Sequence, residues 1–116
     1  MIPLLPREIR KYLFDISEAC DNIIQFTSGK TFSDYQTDSM LRSAVERQFE
    51  IIGEALNQAL QQMPILSEKI SNTRQVIAFR NRLIHGYSSI SDEVVWGVIE
   101  TQLPLLSREV KELLTK

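Results

Sequence analysis

The 116-residue chain predicts an all-α fold, an antiparallel helical bundle of about four main helices. Three observations point there. Apolar residues recur at spacings of three and four over most of the length, the period of a helix with one buried face. No stretch alternates apolar and polar residues with the period of two that a half-buried strand requires. Helix punctuation falls where the periodic stretches begin and end, at Pro6, Gly29, Asp38, Pro64 and Gly86.

The first helix is expected from Pro6 to Phe26. Pro6 suits a first helical turn, where its missing N–H would have had no partner. Ile9, Leu13, Ile16, Cys20 and Ile23 supply the apolar stripe, and Gly29 stops it. Lys30 to Thr37 reads as a connector with one short turn over Phe32 to Tyr35. The second helix runs from Asp38 or Ser39 to Gln62, with Asp38 as N-cap. Its stripe is Leu41, Val45, Phe49, Ile52, Leu56 and Leu60. The neighbouring line of Ala44, Gln48, Ile51 and Ala55 widens the face enough to serve a core and a partner helix together, although a plain core face is the more ordinary explanation. Pro64 ends that helix.

A third helix is expected from Asn72 to His85, with Val76, Ile77, Leu83 and Ile84 as apolar positions and Gly86 just past its end. The fourth runs from Asp92 to Leu114, with Val95, Ile99, Leu103 and Leu106 on one face. Pro104 lies inside it, and an interior proline removes a backbone bond at a cost of about 3 kcal/mol, so a kink or short break is expected there.

Size allows one domain, 1–116, with one modest core. Cys20 is the only cysteine, which rules out an intrachain disulfide and fits a reducing cytoplasm. No basic leader precedes a long apolar run, and no apolar run approaches a membrane span. The net charge of -2 argues against a nucleic-acid binder that works by bulk electrostatics. The local pattern opposes that. Ser71 to Ser91 contains no Asp or Glu, yet holds Arg74, Arg80, Arg82 and the only histidine. A positive segment on an acidic protein suits a small site for an anionic substrate, although chance produces such windows too.

Most catalytic motifs are absent: no phosphate-binding glycine loop, no cysteine pair for zinc, no nucleophile elbow. Glu46, Glu50 and Glu54 form a row on the second helix with Arg42 and Arg47 nearby. A solvated, salt-bridged face is the ordinary explanation, and a role for Glu54 in orienting an arginine is the functional one. No metal or cofactor is expected. What remains is Arg80, Asn81, Arg82, His85 and Tyr87. A lone His near a helix end is usually structural, favoured there by the helix dipole. In this company it offers chemistry. Cutting RNA without a metal requires a 2′-hydroxyl to lose a proton, the extra charge at phosphorus to be stabilised, and the 5′-oxygen to gain a proton. Imidazole transfers protons because its ordinary pKa of about 6.5 lies near neutrality. Guanidinium binds phosphate oxygens with a permanently charged fork. Asn81 or Tyr87 would add hydrogen bonds.

At 100° per residue Arg80 and His85 diverge by about 140° around a regular helix, and one His supplies only one proton-transfer group. A two-fold dimer that places two such helices face to face meets both difficulties.

The run Arg80-Asn81-Arg82-Leu83-Ile84-His85-Gly86-Tyr87 resembles the HEPN signature, and with the tyrosine two residues past the histidine it resembles the HepT toxins of type VII HepT–MntA toxin–antitoxin systems. The connector GKTFSDYQTD, the segment AVERQFEIIGEAL, and LIHGY followed by VVWGVIETQLPLL are similar to that family in order and spacing, so the resemblance covers nearly the whole chain. It implies a dimerising bundle with a composite site, and a metal-independent endoribonuclease in which Arg80 and His85 are catalytic and Asn81 supports them. Arg82 is expected to steer RNA. It also implies an MntA-like nucleotidyltransferase antitoxin that transfers AMP to Tyr87 and silences the toxin. The competing reading is a non-catalytic helical binding subunit of such a nucleotidyltransferase, and a purely structural dimerisation protein is a third. Arg80 and His85 together favour the enzyme, because a docking subunit needs neither proton transfer nor phosphate stabilisation.

Overall fold

The computed structural model describes residues 5–85 and 90–115, and all regular structure within them is helical. Six helices follow in order: α1 Arg7–Thr27, α2 Phe32–Thr37, α3 Ser39–Gln62, α4 Thr73–His85, α5 Asp92–Glu100 and α6 Gln102–Leu114, with a 3₁₀ turn at Pro64–Glu68 between α3 and α4. No helix among them is long and apolar enough to cross a membrane.

Local chemistry sets the boundaries. Pro6 stands just before α1, and its carbonyl accepts from the Arg10 N–H at 3.0 Å. Gly29 at φ 73 turns the chain after α1 in a conformation that costs a residue without Cβ little. Thr31 and Asp34 form a reciprocal capping box at the start of α2. The Thr31 backbone N–H donating to the Asp34 carboxylate, helped by the threonine hydroxyl, holds that carboxyl below its ordinary pKa. Asp38 caps α3 by accepting from the Leu41 N–H at 3.1 Å.

The expected fourth helix is two helices, and the break falls at Thr101 rather than at Pro104. A proline cannot donate to the carbonyl four residues back, and its ring crowds that carbonyl, here Glu100. The chain therefore ends α5 at Glu100 and restarts, leaving Pro104 in the first turn of α6. Thr101 closes α5 by donating both its N–H (3.0 Å) and its hydroxyl (2.7 Å) to the Gly97 carbonyl.

α1 lies at the centre, between α3 and α6. Both pairings are antiparallel, as their cross-links show. Tyr12 meets Gln62 while Asn22 meets Gln48. Arg10 reaches the Leu114 carbonyl while Ser17 and Asp21 meet Lys111. The core is the expected stripe of α1, all five residues at most 2% exposed, facing Val45, Phe49, Ile52 and Leu56 of α3 and Leu103, Leu106 and Val110 of α6. Cys20 lies within it, and burial pushes its thiol pKa up to about 12. At one end α2 meets α5: Tyr35 is fully buried, with its ring 5.5 Å from that of Trp96, and Phe32 flanks the same indole. α4 docks chiefly on α3, where Phe49 and Phe79 meet edge to face at 5.1 Å.

Candidate active site

α4 carries four of the five residues singled out for chemistry, and the fifth, Tyr87, lies outside the described residues. The helix has no carboxylate of its own, and it places Arg82 and His85 in its last turn. Cations there interact favourably with the partial negative charge of the terminal carbonyls. Its entry is fixed from outside. Asn72 takes a left-handed φ of 60, which asparagine tolerates better than most residues. Ser71 donates its N–H and hydroxyl to the Glu109 carboxylate of α6 at 3.0 and 2.9 Å.

Arg80 faces α3. Its side chain is 21% exposed and pairs with Glu54, whose own side chain is half exposed. Glu54 also accepts from Gln58 at 3.3 Å. The other terminal nitrogen of Arg80 donates to the Asn81 side-chain oxygen at 2.8 Å. Nε is buried and has no partner among the described residues. A guanidinium has five N–H groups, so each terminal nitrogen retains one for a further acceptor. Glu54 thus holds the arginine in one orientation without exhausting it. Of the acidic row, it is the member that reaches Arg80. Glu50 pairs with Arg47 at 3.4 Å, while burial, reinforced by Asp92 and Glu50, raises the pKa of Glu46.

The reason Arg80 can lie so close to α3 is Gly53, one residue before its partner. A Cβ built on Gly53 would overlap the Cβ and Cγ of Arg80. This contact makes Gly53 a member of the site in effect. Periodicity conceals it, because a glycine inside a helical stripe reads only as a weak helix former. A charged arginine four residues after an apolar Val76 likewise gives no sign of which helix it crosses.

Arg80, Glu54, Tyr12 and Ile84 border an open cleft of about 360 Å³ between α1, α3 and α4. Asp15, Glu50 and Arg47 also line it, so its carboxylates outnumber its guanidiniums. That balance does not suit a phosphate lying deep inside. His85 is exposed at the end of α4 and is not part of this cleft. Asn81 and Arg82 are exposed as well. Within one chain, therefore, Arg80 and Asn81 are brought together by a hydrogen bond. Arg80 and His85 are not, as the regular helical phase requires.

Over residues 16–113 the chain matches the family described as Ribonuclease HepT-like. It is 32% identical over 107 residues to a protein of Caldanaerobacter subterraneus subsp. tengcongensis named "Putative RNase", covering 92% of this chain and 95% of the relative. A protein of Methanocaldococcus jannaschii with the same description is 31% identical over 107 residues, covering 90% and 95%. The "Probable ribonuclease HepT" of Thermococcus cleftensis is 32% identical over 109 residues, covering 94% and 98%. No solved structure matches the chain. The family match begins inside α1, after the Tyr12 and Asp15 that line the cleft, and takes in the whole of α3 and α4, which carry Glu54, Arg80 and His85. The chain belongs to the HepT-like ribonuclease family and is an RNA-cleaving enzyme.

Proposed function

We propose that the protein is a metal-independent endoribonuclease toxin that acts as a homodimer, with Arg80 and His85 of both protomers forming one composite site. The observation that carries this reading is the placement of the two residues on α4. They sit on one carboxylate-free helix yet face different sides of it, and each chain has a single imidazole. A second copy supplies the missing proton-transfer group. In the reaction one imidazole takes the proton of a 2′-hydroxyl. That oxygen attacks phosphorus, the bond to the 5′-oxygen breaks, and the second imidazole protonates the leaving oxygen. The products are a 2′,3′-cyclic phosphate and a 5′-hydroxyl. Arg80, held by Glu54, offers its two spare N–H groups to the non-bridging oxygens, where negative charge grows in the transition state. Asn81 keeps the guanidinium plane in place, and Arg82 draws RNA toward the site.

The partner in this reading is an MntA-like nucleotidyltransferase antitoxin that transfers AMP to the Tyr87 hydroxyl. Each transfer adds a phosphate charge and a bulky nucleoside two residues from His85. The adduct competes with RNA for the arginines by charge and for the composite site between protomers by volume.

The test is cleavage of total RNA by the pure protein in excess chelator, with the ends mapped. Cyclic phosphate ends that disappear in Arg80→Ala and in His85→Ala, with Arg82→Ala milder, are the expected result. Mixed Arg80→Ala and His85→Ala dimers should differ in activity from either parent. Full cleavage by both single variants overturns the assignment, and a monomer that cuts normally overturns the composite site. Intact mass after incubation with the antitoxin, ATP and Mg²⁺ should show adenylate additions that Tyr87→Phe lacks. Additions without any RNA cleavage would favour the non-catalytic binding subunit.

A further inference from the structure

We infer that the exposed face of α4 is a track for the RNA backbone, and that Arg74, at its far end from His85, binds a phosphate remote from the one being cut. The inference rests on the ribonuclease reading of His85 and extends it to a residue outside the motif. At 100° per residue, Arg74, Ala78, Asn81, Arg82 and His85 fall within an arc of about 100° around the helix. All five are exposed. Arg80 points about 150° away from the middle of that arc, into its pair with Glu54. The face therefore combines two guanidiniums, an amide and an imidazole, with no carboxylate, and the Ala78 methyl at its centre lets a strand approach closely.

Three features separate this face from an ordinary solvated surface. First, neither Arg74 nor Arg82 has an ion-pair partner among the described residues, and both stand on a helix with no carboxylate of its own, which is true of no cation on the other helices. Second, Arg74 sits in the first turn of α4, where the helix dipole disfavours a cation, and no acid in that turn offsets it. Glu109, the carboxylate that reaches the start of α4, is committed to the Ser71 N–H and hydroxyl. Third, the spacing suits a strand. Arg74 and His85 are eleven residues apart, about 16 Å along the axis at 1.5 Å per residue, which leaves room for more than one phosphate of an extended strand between them.

The prediction concerns charge and length. Binding is measured with a 2′-O-methyl oligoribonucleotide, which lacks the nucleophilic hydroxyl, over a range of salt concentrations. Loss of one phosphate contact on a single strand reduces the slope of log K against log salt by about 0.7. Arg74→Gln should show that reduction and bind several-fold more weakly at low salt. Arg74→Lys, which keeps the charge, should restore most of the slope. Lys30→Gln, which removes an exposed cation on the connector after α1, should leave slope and affinity as they were. In cleavage, Arg74→Gln should lower kcat/KM on a long unstructured RNA far more than on a trinucleotide, and chiefly through KM. An unchanged slope in Arg74→Gln, or an equal loss on both substrate lengths, overturns the track and leaves the face to a protein partner. The binding measurement keeps the two readings apart. A reduced slope in a protein that cuts nothing would uphold the track and defeat the catalytic assignment.

Discussion

Two helices of this protein, α1 and α4, use similar apolar periodicity to opposite ends. α1 is enclosed by α3 on one side and α6 on the other, and its five stripe residues are sealed from solvent. α4 has the same kind of stripe, yet Val76, Ile77, Phe79 and Leu83 are only partly buried, Ile84 is 43% exposed, and Thr73 is its one buried residue. Burying a Leu or Ile side chain fully contributes about 1.5–3 kcal/mol, so α1 supplies a large share of the stability and α4 little. The difference teaches where this fold can keep polar chemistry. A helix that leans chiefly on one neighbour leaves one side of its circumference free, and that is where Arg82, His85 and Arg74 sit.

The comparison is broken most directly by truncating one residue on each helix. Leu13→Ala removes a side chain at 0% exposure and should cost about 2–5 kcal/mol in urea unfolding, with cleavage by the remaining folded fraction retained. Ile84→Ala should cost less than about 1 kcal/mol, because much of that side chain already meets water. If the two losses were equal, the contrast between the helices would fail. A loss at Ile84 that grew with protein concentration would instead sharpen it, by placing the Ile84 side of α4, beside the cleft, in the contact between protomers.

A smaller effect is expected at the crossing of α3 and α4. Gly53→Ala inserts a methyl into the space of Arg80 and should cost about 1–3 kcal/mol by overpacking. It should lower cleavage beyond that, since displacing the arginine breaks its alignment with Glu54. The Gly53→Ala, Arg80→Gly double variant removes the Cβ and Cγ that the new methyl would meet, so its destabilisation should be less than the sum of the singles in a double-mutant cycle. Additivity would mean that the helices simply move apart.

The smallest effect concerns Glu46. Its folded pKa is raised, first by burial and then by Asp92 and Glu50, so the folded protein holds this proton more tightly than the unfolded chain does. Stability is therefore lost as pH rises from the ordinary Glu value of about 4.3 through the raised one, and the full cost is present above it. Glu46→Gln should stabilise the protein at neutral pH by less than about 1 kcal/mol, given the partial exposure, and the gain should vanish in acid. A gain that persisted below pH 4, roughly the ordinary carboxylate range, would point to packing rather than charge.

Helix stripes were legible because period and caps agree: Asp38 and the α1 stripe behave as their residue types require. The split at Thr101 was misplaced by three residues, because a proline acts on the carbonyl four positions upstream and not at its own place. Tyr35 was hidden. A tyrosine in a polar connector gives no periodic signal, and only the meeting of α2 with α5 buries it. The site was half legible. Arg80, Asn81, Arg82 and His85 stand out by chemistry, and the helical wheel alone separates Arg80 from His85. Glu54 was ambiguous within a row of three glutamates, and Gly53 was invisible, because both depend on which residue of α4 crosses α3 at that point.

Trp96 is the only tryptophan of the chain, and its ring lies against those of Phe32 and Tyr35, tilted to both, where α2 meets α5. The protein thus carries a built-in optical probe at the seat of α5 on α2. Emission excited selectively at the indole reports whether α5 is seated on α2. Far-ultraviolet dichroism weighs all six helices together. If α4 frays first on heating, the dichroism will begin to fall while the indole spectrum stays still. If the molecule melts as one unit, the two curves will superimpose.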